Sequence, residues 1–469
     1  MTRTRMSDTE ALMWTVEKDP SLRSDFLNIT VLEGPPDHER LRAKITEAVA
    51  LLPRLRQKVV SAPLRLAPPE WVEDPQFDLG YHVRRVALPE PGGTRELLDF
   101  AAGVAMAPFD RARPLWEFTV VEGLEGGRAA LLQKIHHTVT DGVGGLKLSL
   151  ALLDLEADPA AGTGNLAGEP PGDADAPESA APSTPVDVLV ETLMYVARRQ
   201  ADGLRRAIDA VSAVARHPGT VPSALATTAR TARSLQQQAL VRGNALSPIM
   251  IERSLSRRFE IHTVSLHALK AVAKKADATI NDAFVTGVAG AMGRYHERMG
   301  APVDELRMAM PVNLRVRGED ASGGNRFAPA RIVVPVQPKD PGELLEAVAD
   351  RLSDIRTEPA LGMAESVAGV VGMLPTSVLV PVTKAQTRTI DFATSNLRGS
   401  PVELFLAGRR IEGNYPFGPC TGCAVNVTVL SYGGDFDMGV NLDPAALTDP
   451  GAFMECLAES FDALLGLGP

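Results

Sequence analysis

The residues best suited to chemistry stand in the segment KIHHTVTDGVGG, residues 134–145. It holds the adjacent pair His136 and His137, then Asp141 four residues after the second histidine, with Gly142 directly behind. A neutral imidazole is the side chain best matched to removing a proton from a hydroxyl near neutral pH. Asp141 could hold the turn in shape, and Gly142 would let the backbone bend or a ligand approach closely. The segment therefore suggests a general-base site at a strand end.

Other interpretations of the histidine pair stay open. Adjacent residues of a strand point to opposite faces, so only one histidine can easily be the working base. The pair could instead be two hydrogen-bonded histidines at a strand end, followed by an ordinary Asp-Gly turn. Zinc is a third interpretation, since His and Asp are acceptable ligands. No third histidine lies nearby and the Cys420-x-x-Cys423 motif has no second pair, so no metal site is predicted.

Four residues elsewhere are candidates for a place beside the histidines. The amide of Asn281, near a predicted helix start, could donate to developing negative charge or merely cap the helix. Ser395 and Asn396 could line a substrate cavity or shape a turn. For Trp116 a packing role beneath the site is favoured over a chemical one, because an indole is a large apolar body with a single donor.

The ordered motifs resemble those of one enzyme family. His136-His137-Thr138-Val139-Thr140-Asp141-Gly142 resembles the HHxxxDG signature of the coenzyme-A-dependent acyltransferase superfamily, which includes chloramphenicol acetyltransferase and peptide-synthetase condensation domains. The motifs Pro114-Leu115-Trp116, Asn281-Asp282 and Ser395-Asn396 are similar to those of the bacterial wax ester synthase/diacylglycerol acyltransferase family. The likeness runs from about residue 6 to about residue 465.

The resemblance implies a fold and an activity. The expected fold is α/β (α+β), with two chloramphenicol-acetyltransferase-like halves in a V-shaped arrangement, a helical connector and a tunnel at the junction. The expected activity moves a long-chain acyl group from acyl-CoA, the co-substrate, to the hydroxyl of a fatty alcohol or diacylglycerol. The product would be wax ester or triacylglycerol, and no permanently bound cofactor is expected. The alternatives are an acyltransferase for a polyketide or glycolipid alcohol and a non-catalytic lipid-binding relative.

The same resemblance assigns roles to residues. His137 would be the general base, and Asp141 would pair with an arginine, for which Arg56 is the candidate. The other expected site residues are catalytic or substrate-binding: His136, Asp141 and Asn281 in the first group, and Gly142, Ser395, Asn396 and Trp116 in the second.

The elements that must position these residues follow from hydrophobic periodicity and turn signals. A capping box at Ser7 and Glu10 predicts an opening helix. Strands at Trp116–Glu122 and Ala129–His136 flank Glu125-Gly126-Gly127 and predict an antiparallel hairpin. Further predictions are helices after Asp37, near Thr94, over 266–276, 280–299 and 341–355 and after Pro450, and strands over 81–88, 259–264, 306–314, 331–336, 423–430 and 435–442.

Composition shifts divide the chain. The predicted units are an N-terminal acyltransferase-like half over 1–155, a flexible acidic linker over 156–185, a helical connector over 186–255 and a C-terminal acyltransferase-like half over 256–469. The linker is built from Pro, Gly, Ala, Ser and acids and shows no apolar periodicity.

Charge and composition exclude several classes. The 469 residues carry a formal net charge of -10, which argues against general nucleic-acid binding. Three cysteines cannot make a disulfide-dense secreted framework, and neither a secretory signal nor an apolar stretch of about 20 residues is visible. We expect a cytoplasmic protein. Peripheral association with the inner membrane or lipid droplets is a further expectation, based on the substrate class and the apolar stretch from Val367 to Val382.

Overall fold

The structure is a computed structural model that describes part of the chain. The described residues are 4–62, 67–140, 145, 148–149, 151–158, 194, 205, 245–313, 327–337, 340–356 and 375–468. The predictions for Asp141, Gly142 and most of the linker and connector therefore lie outside the described residues.

Strands and helices are mixed along the described chain, as expected for an α/β (α+β) protein. The strands are β1 (Thr4–Arg5), β2 (Asp25–Leu32), β3 (Gln57–Val60), β4 (Glu70–Glu73), β5 (Val83–Ala87), β6 (Trp116–Glu122), β7 (Ala129–His136), β8 (Leu153–Asp154), β9 (Arg258–Ser265), β10 (Glu305–Asn313), β11 (Phe327–Pro335), β12 (Phe392–Leu397), β13 (Phe405–Leu406), β14 (Arg409–Phe417), β15 (Val425–Tyr432) and β16 (Asp435–Leu442). The main helices are α1 (Asp8–Val16), α2 (His38–Leu51), α3 (Leu79–His82), α4 (Thr94–Met106), α5 (Leu266–Lys275), α6 (Ile280–Arg298), α7 (Pro341–Arg356), α8 (Thr376–Thr387) and α9 (Pro450–Leu465).

The described strands form two large sheets and one small one. The larger sheet has the order β5-β6-β7-β2-β14-β13-β8, the second has the order β11-β10-β12-β15-β16-β9, and the small sheet is β1-β4-β3. In the larger sheet, β7 runs antiparallel to both β6 and β2. The histidine pair thus stands at the end of a strand that has neighbours on both sides.

The two large sheets are joined through the late strand β14. This strand pairs antiparallel with β2, so that Tyr415 lies opposite Ile29. Its last residue, Phe417, stacks on Phe259 of β9, with ring centroids 4.1 Å apart. The larger sheet therefore combines strands from both ends of the chain, and the sheets are not divided strictly along the sequence at residue 256.

Buried side chains fill the space between sheets and helices. One core cluster joins α6 and α9 to the second sheet, and another joins α2 to the face of the larger sheet that carries Trp116 and Ile135. The packing of α6 on α9 needs small residues, because a Cβ on Gly287 would lie 2.5 Å from ring carbons of Phe461.

Most of the predicted elements are confirmed, and one is wrong in part. The capping box of Ser7 and Glu10 begins α1, and β6 and β7 have the predicted bounds. The strand predicted over 81–88 begins only at Val83, because Asp78 accepts a hydrogen bond from the Gly80 N–H and begins the short helix α3 there. Strand β14 was not predicted.

Candidate active site

The histidine pair lies at the end of β7, with His136 as the last residue of the strand and His137 as the first residue of the turn that follows. His136 lies in register with Asp25 of β2, and its backbone N–H donates to Leu115 O at 3.0 Å. The next N–H, that of His137, donates to Ser24 O at 3.2 Å. The pair is thus fixed through its backbone from both sides, and the two rings have different partners: Glu17 for His136 and Phe26 for His137.

Both ring nitrogens of His136 are engaged inside the protein. Nε2 lies 2.8 Å from each carboxylate oxygen of Glu17, and Nδ1 lies 2.7 Å from Thr138 Oγ1. The backbone N–H of Thr138 donates to Nδ1 at 3.2 Å, so Nδ1 is an acceptor. Nε2 must then carry the ring proton and donate it to the carboxylate. His136 is 2% exposed, so it has no surface on which to receive a substrate proton.

Glu17 follows the last residue of α1 and connects several parts of the site. Its carboxylate accepts from the His136 ring, from the Ser24 N–H at 2.9 Å and from Arg111 Nη2 at 3.3 Å. Burial by itself raises the pKa of Glu17, but the hydrogen bond from His136 and the other partners outweigh it and hold the pKa below its usual value. Because Ser24 O holds the backbone of His137, Glu17 supports both histidines.

Glu17 was not found from the sequence. It stands at the end of a helix in the run Glu-Lys-Asp-Pro, and its partner His136 is 119 residues away. No local pattern distinguishes this acid from an exposed one.

His137 lies deep in the fold, but part of its surface stays accessible. Its ring packs against Phe26, with centroids 4.9 Å apart. Burial, with a smaller contribution from His136, lowers the pKa of His137 to about 4, and Glu17 opposes the shift. The imidazole is therefore neutral at physiological pH and able to accept a proton.

Charged residues on the His136 side complete the buried surroundings. Lys134 Nζ donates to Ala107 O, and the ammonium lies 4.3 Å from the ring centroid of Phe109. Burial raises the pKa of Asp25 to about 6, while His136 and Lys134 pull it down. These two residues were also missed by the sequence analysis, since a Lys and an Asp at strand positions suggest an exposed face.

Trp116 lies beneath the histidines and has no exposed surface. Its indole N–H donates to Leu55 O at 2.8 Å, and its ring stacks on His82 at 4.5 Å between centroids. The His82 ring also bonds Trp116 O through Nδ1 at 2.7 Å. This packing fixes the start of β6, where Leu115 O receives the His136 backbone. A direct contact of Trp116 with substrate stays a prediction.

The structure brings Asn281 and Asn396 together. The Asn396 amide donates to Asn281 Oδ1 at 3.4 Å, and Asn281 Nδ2 contacts Met310 Sδ at 3.5 Å. Asn281 does not cap its helix: Thr279 does so, in a capping box with Asp282. The side chain of Asn281 is therefore available for another role.

The remaining predicted residues are placed less fully. Ser395 is half-buried in β12, and Asp141 and Gly142 lie outside the described residues. Arg56, the expected partner of Asp141, lies 3.4 Å from Glu73 Oε1. Within the described ranges, no group of three or more His, Cys, Asp and Glu residues is arranged to hold a metal ion.

Comparisons with family models match nearly the whole chain. A model described as the wax ester synthase/diacylglycerol acyltransferase catalytic domain matches residues 6–284, and one described as the WS/DGAT C-terminal domain matches residues 323–465. Two relatives from Mycobacterium tuberculosis H37Rv are named as diacylglycerol O-acyltransferases. One is 36% identical over 99% of this chain and 93% of its own, and the other is 30% identical over 98% and 97%.

Solved structures show the same fold. The wax ester synthase/diacylglycerol acyltransferase from Marinobacter aquaeolei VT8 matches with a TM-score of 0.62 at 22% identity, covering 98% of each chain. A starter condensation domain of rhizomide synthetase, in complex with C8-CoA and Leu-SNAC, matches with a TM-score of 0.59 at 13% identity, covering 99% of this chain and 94% of that one. The predicted α/β fold of two acyltransferase-like halves is confirmed. Among the helices of the described residues, none is both long and apolar enough to span a membrane.

Proposed function

This chain belongs to the wax ester synthase/diacylglycerol acyltransferase family, and from that membership we propose that it makes neutral lipid from acyl-CoA. The acceptor is the hydroxyl of a fatty alcohol or of diacylglycerol, and the products are wax ester or triacylglycerol and free CoA. The named activities of the mycobacterial and Marinobacter relatives support both acceptors. The C8-CoA bound to the rhizomide condensation domain supports an acyl-CoA donor.

The catalytic part of this proposal is based on the different surroundings of the two histidine rings. His136 has both ring nitrogens engaged with Glu17 and Thr138, whereas His137 keeps accessible surface and a depressed pKa. His137 is thus the member of the pair suited to act as general base. His136 and Glu17 are positioning residues, because they fix the backbone segment that carries His137.

The reaction needs one proton to move twice. His137 takes the proton of the acceptor hydroxyl as the oxygen attacks the thioester carbonyl of acyl-CoA. The tetrahedral intermediate carries its negative charge on the former carbonyl oxygen. Its collapse breaks the carbon–sulfur bond, and protonated His137 returns the proton to the leaving thiolate. No covalent acyl-enzyme is required.

Asn281 is the residue we assign to the negatively charged oxygen. Its Oδ1 accepts from Asn396, which orients the amide, and among the described residues its Nδ2 donates to the sulfur of Met310 at 3.5 Å. Because a thioether is a weak acceptor, an oxyanion would replace it at little cost. Asp141, Gly142, Ser395 and Trp116 keep their sequence-based roles within this proposal: Asp141 shapes the turn, and the other three contribute to the substrate site.

Helix α8 supports the proposed peripheral contact with an inner membrane or a lipid droplet surface. Val378 and Val382 are 46% and 42% exposed on it, although both side chains are apolar. A lipid product and a lipid acceptor both favour an enzyme that works at such a surface.

The test is a direct assay. Purified protein is incubated with palmitoyl-CoA and either hexadecanol or diacylglycerol, and free thiol and lipid products are followed. We expect thiol release that depends on the acceptor, with one ester formed per thiol. Lipid binding without ester formation would identify a non-catalytic relative. A rate of thiol release that is the same with and without either acceptor would contradict the proposed substrates.

A further inference from the structure

The Cys420-x-x-Cys423 motif forms a tight turn whose two ends are close together. The Cys423 N–H donates to Cys420 O at 2.9 Å, and the two central residues, Thr421 and Gly422, have positive φ of 44° and 89°. Positive φ at both central positions is the signature of a type I′ turn, in which the end Cα atoms lie within about 7 Å. A disulfide needs a Cα separation of about 4.4–6.8 Å, so the backbone already has a compatible shape.

The two cysteines lie in one small buried cluster, where Cys420 Sγ donates to Asn441 O at 3.4 Å and Cys423 Sγ donates to Val425 O at 3.2 Å. Both are buried, with Ile390 in the same small cluster, and Cys423 Sγ lies 2.8 Å from Cys420 O. The interaction with Cys423 lowers the pKa of Cys420, with help from Arg257 and Arg253, and the interaction with Cys420 and burial raise the pKa of Cys423. Cys420 is thus the better nucleophile, and Cys423 is the thiol positioned beside it.

The turn touches the backbone that holds the active site. Thr421 Oγ1 donates to Arg23 O at 3.4 Å. The following residue, Ser24, accepts from the His137 N–H through its carbonyl and donates to Glu17 through its own N–H. A change in the shape of the turn would therefore move Arg23 and, through the next residue, the two backbone bonds of Ser24 to His137 and to Glu17.

We propose that Cys420 and Cys423 are a peroxide-sensitive dithiol whose disulfide lowers acyl transfer through the contact between Thr421 and Arg23. The regulatory half of this proposal rests on the proposed acyltransferase function. The oxidant is a small peroxide, because Cys420 and Cys423 are only 4% and 2% exposed and are closed to a protein partner.

The oxidation proceeds in two steps. The Cys420 thiolate attacks one oxygen of hydrogen peroxide and breaks the O–O bond, giving a sulfenic acid and, with one proton, water. The Cys423 sulfur then attacks the Cys420 sulfur, forming the S–S bond and releasing the hydroxyl with the Cys423 proton as a second water. Two thiols lose two electrons and two protons, and one peroxide is reduced to two waters.

The first measurement is the mass of the protein after exposure to hydrogen peroxide. We expect the loss of two hydrogens, mapped by peptide mass spectrometry to a link between Cys420 and Cys423 and reversed by dithiothreitol. Cys456→Ser is the matched control, because this third cysteine lies in α9 and is also buried; it should form the link like the parent. Cys420→Ser and Cys423→Ser should form none. A parent protein that keeps both thiols under conditions that oxidise free cysteine would overturn the proposal.

The second measurement is turnover of the reduced and oxidised proteins. Since a displacement of about 1 Å at a catalytic group can cost about 100-fold in rate, we expect a smaller shift through the turn to cost about tenfold in kcat. Dithiothreitol should restore it. The variant Thr421→Val lacks the hydroxyl that reaches Arg23 and should still form the disulfide. Its oxidation should lower kcat by less than about threefold, which is half of the tenfold loss on a logarithmic scale.

The two halves of the proposal are judged separately. A disulfide that leaves kcat unchanged would contradict the regulatory half, and an equal loss in Thr421→Val would contradict the transmission through Arg23. Because the mass measurement needs no substrate, a reduced parent without acyl transfer would overturn the proposed function while the disulfide site is decided on its own.

Discussion

Replacing Glu17 tests how the site is held together. The substitution Glu17→Ala removes the acceptor of the His136 Nε2–H, of the Ser24 N–H and of Arg111. His136 then loses the partner that fixes its tautomer, and the backbone that carries His137 loses one of its anchors. We expect the catalytic base to shift although no group that touches substrate has changed.

The size of the effect follows from the contacts. Hydrogen bonds to a charged group contribute about 1.5–3 kcal/mol each, so losing the two buried bonds from His136 and Ser24 in Glu17→Ala should lower the free energy of unfolding by about 4 kcal/mol. Glu17→Gln keeps an oxygen for His136 but loses the charge, and should cost about 2 kcal/mol. A shift of His137 by about 1 Å corresponds to a loss of about 100-fold in kcat for Glu17→Ala, and about tenfold is expected for Glu17→Gln.

The assay combines kinetics with a folding control. kcat and KM are measured for acyl-CoA and acceptor at a temperature where chemical denaturation shows each variant to be folded. The matched control is Glu33→Gln, whose exposed carboxylate pairs with Arg410 at 3.4 Å and whose loss should cost under about 1 kcal/mol and leave kcat unchanged. A folded Glu17→Ala that keeps kcat within twofold of the parent would refute the reasoning.

Four further outcomes are expected. Because burial lowers the pKa of His137 to about 4, kcat/KM should stay level from about pH 7 to about pH 5 and fall only near pH 4; a limb near the ordinary histidine value of about 6.5 would contradict this. The unfolded chain binds that proton more tightly, so the His137 contribution to the free energy of unfolding should fall as the pH drops from about 6.5 towards 4, as urea denaturation at each pH can show. Asn281→Ala should lower kcat by about 100-fold with little change in melting temperature, and Asn396→Ala by less, since Asn396 only orients the amide. Gly287→Ala should cost about 2 kcal/mol of unfolding free energy, because its Cβ would meet an aromatic ring at 2.5 Å, whereas Gly103→Ala, with open space, should gain about 0.5–1 kcal/mol in urea denaturation; equal effects would show that close packing does not decide them.

The strands and helices with strong local signals could be predicted from the sequence. The bounds of β6 and β7 follow from two apolar runs around a glycine-containing turn, and α1 follows from its capping box. Strand β14 could not be predicted in this way, since Gly413 and Pro416 interrupt its pattern. Its partner β2 lies more than 370 residues earlier, and no local signal reports such a pairing.

The residues of the candidate site also differ in whether a local sequence signal predicts them. The position of the histidine pair at the end of β7 follows from the motif and the apolar run before it, whereas the turn that begins at His137 was not predicted. Glu17 could not be found, because its role depends on a contact with His136 across 119 residues. The sequence left two roles open for Asn281, capping its helix or taking part in catalysis. The structure excludes the first, because Thr279 is the N-cap residue.

The central claim is that His137 exchanges the proton, and His137→Ala tests it most directly. Acceptor-dependent thiol release from palmitoyl-CoA is compared between this variant and the parent, after circular dichroism has shown that both are folded. General base catalysis contributes about 100- to 10,000-fold, so the account predicts a loss of about 1,000-fold in kcat. Thiol release at the parent rate in the presence of acceptor would contradict it.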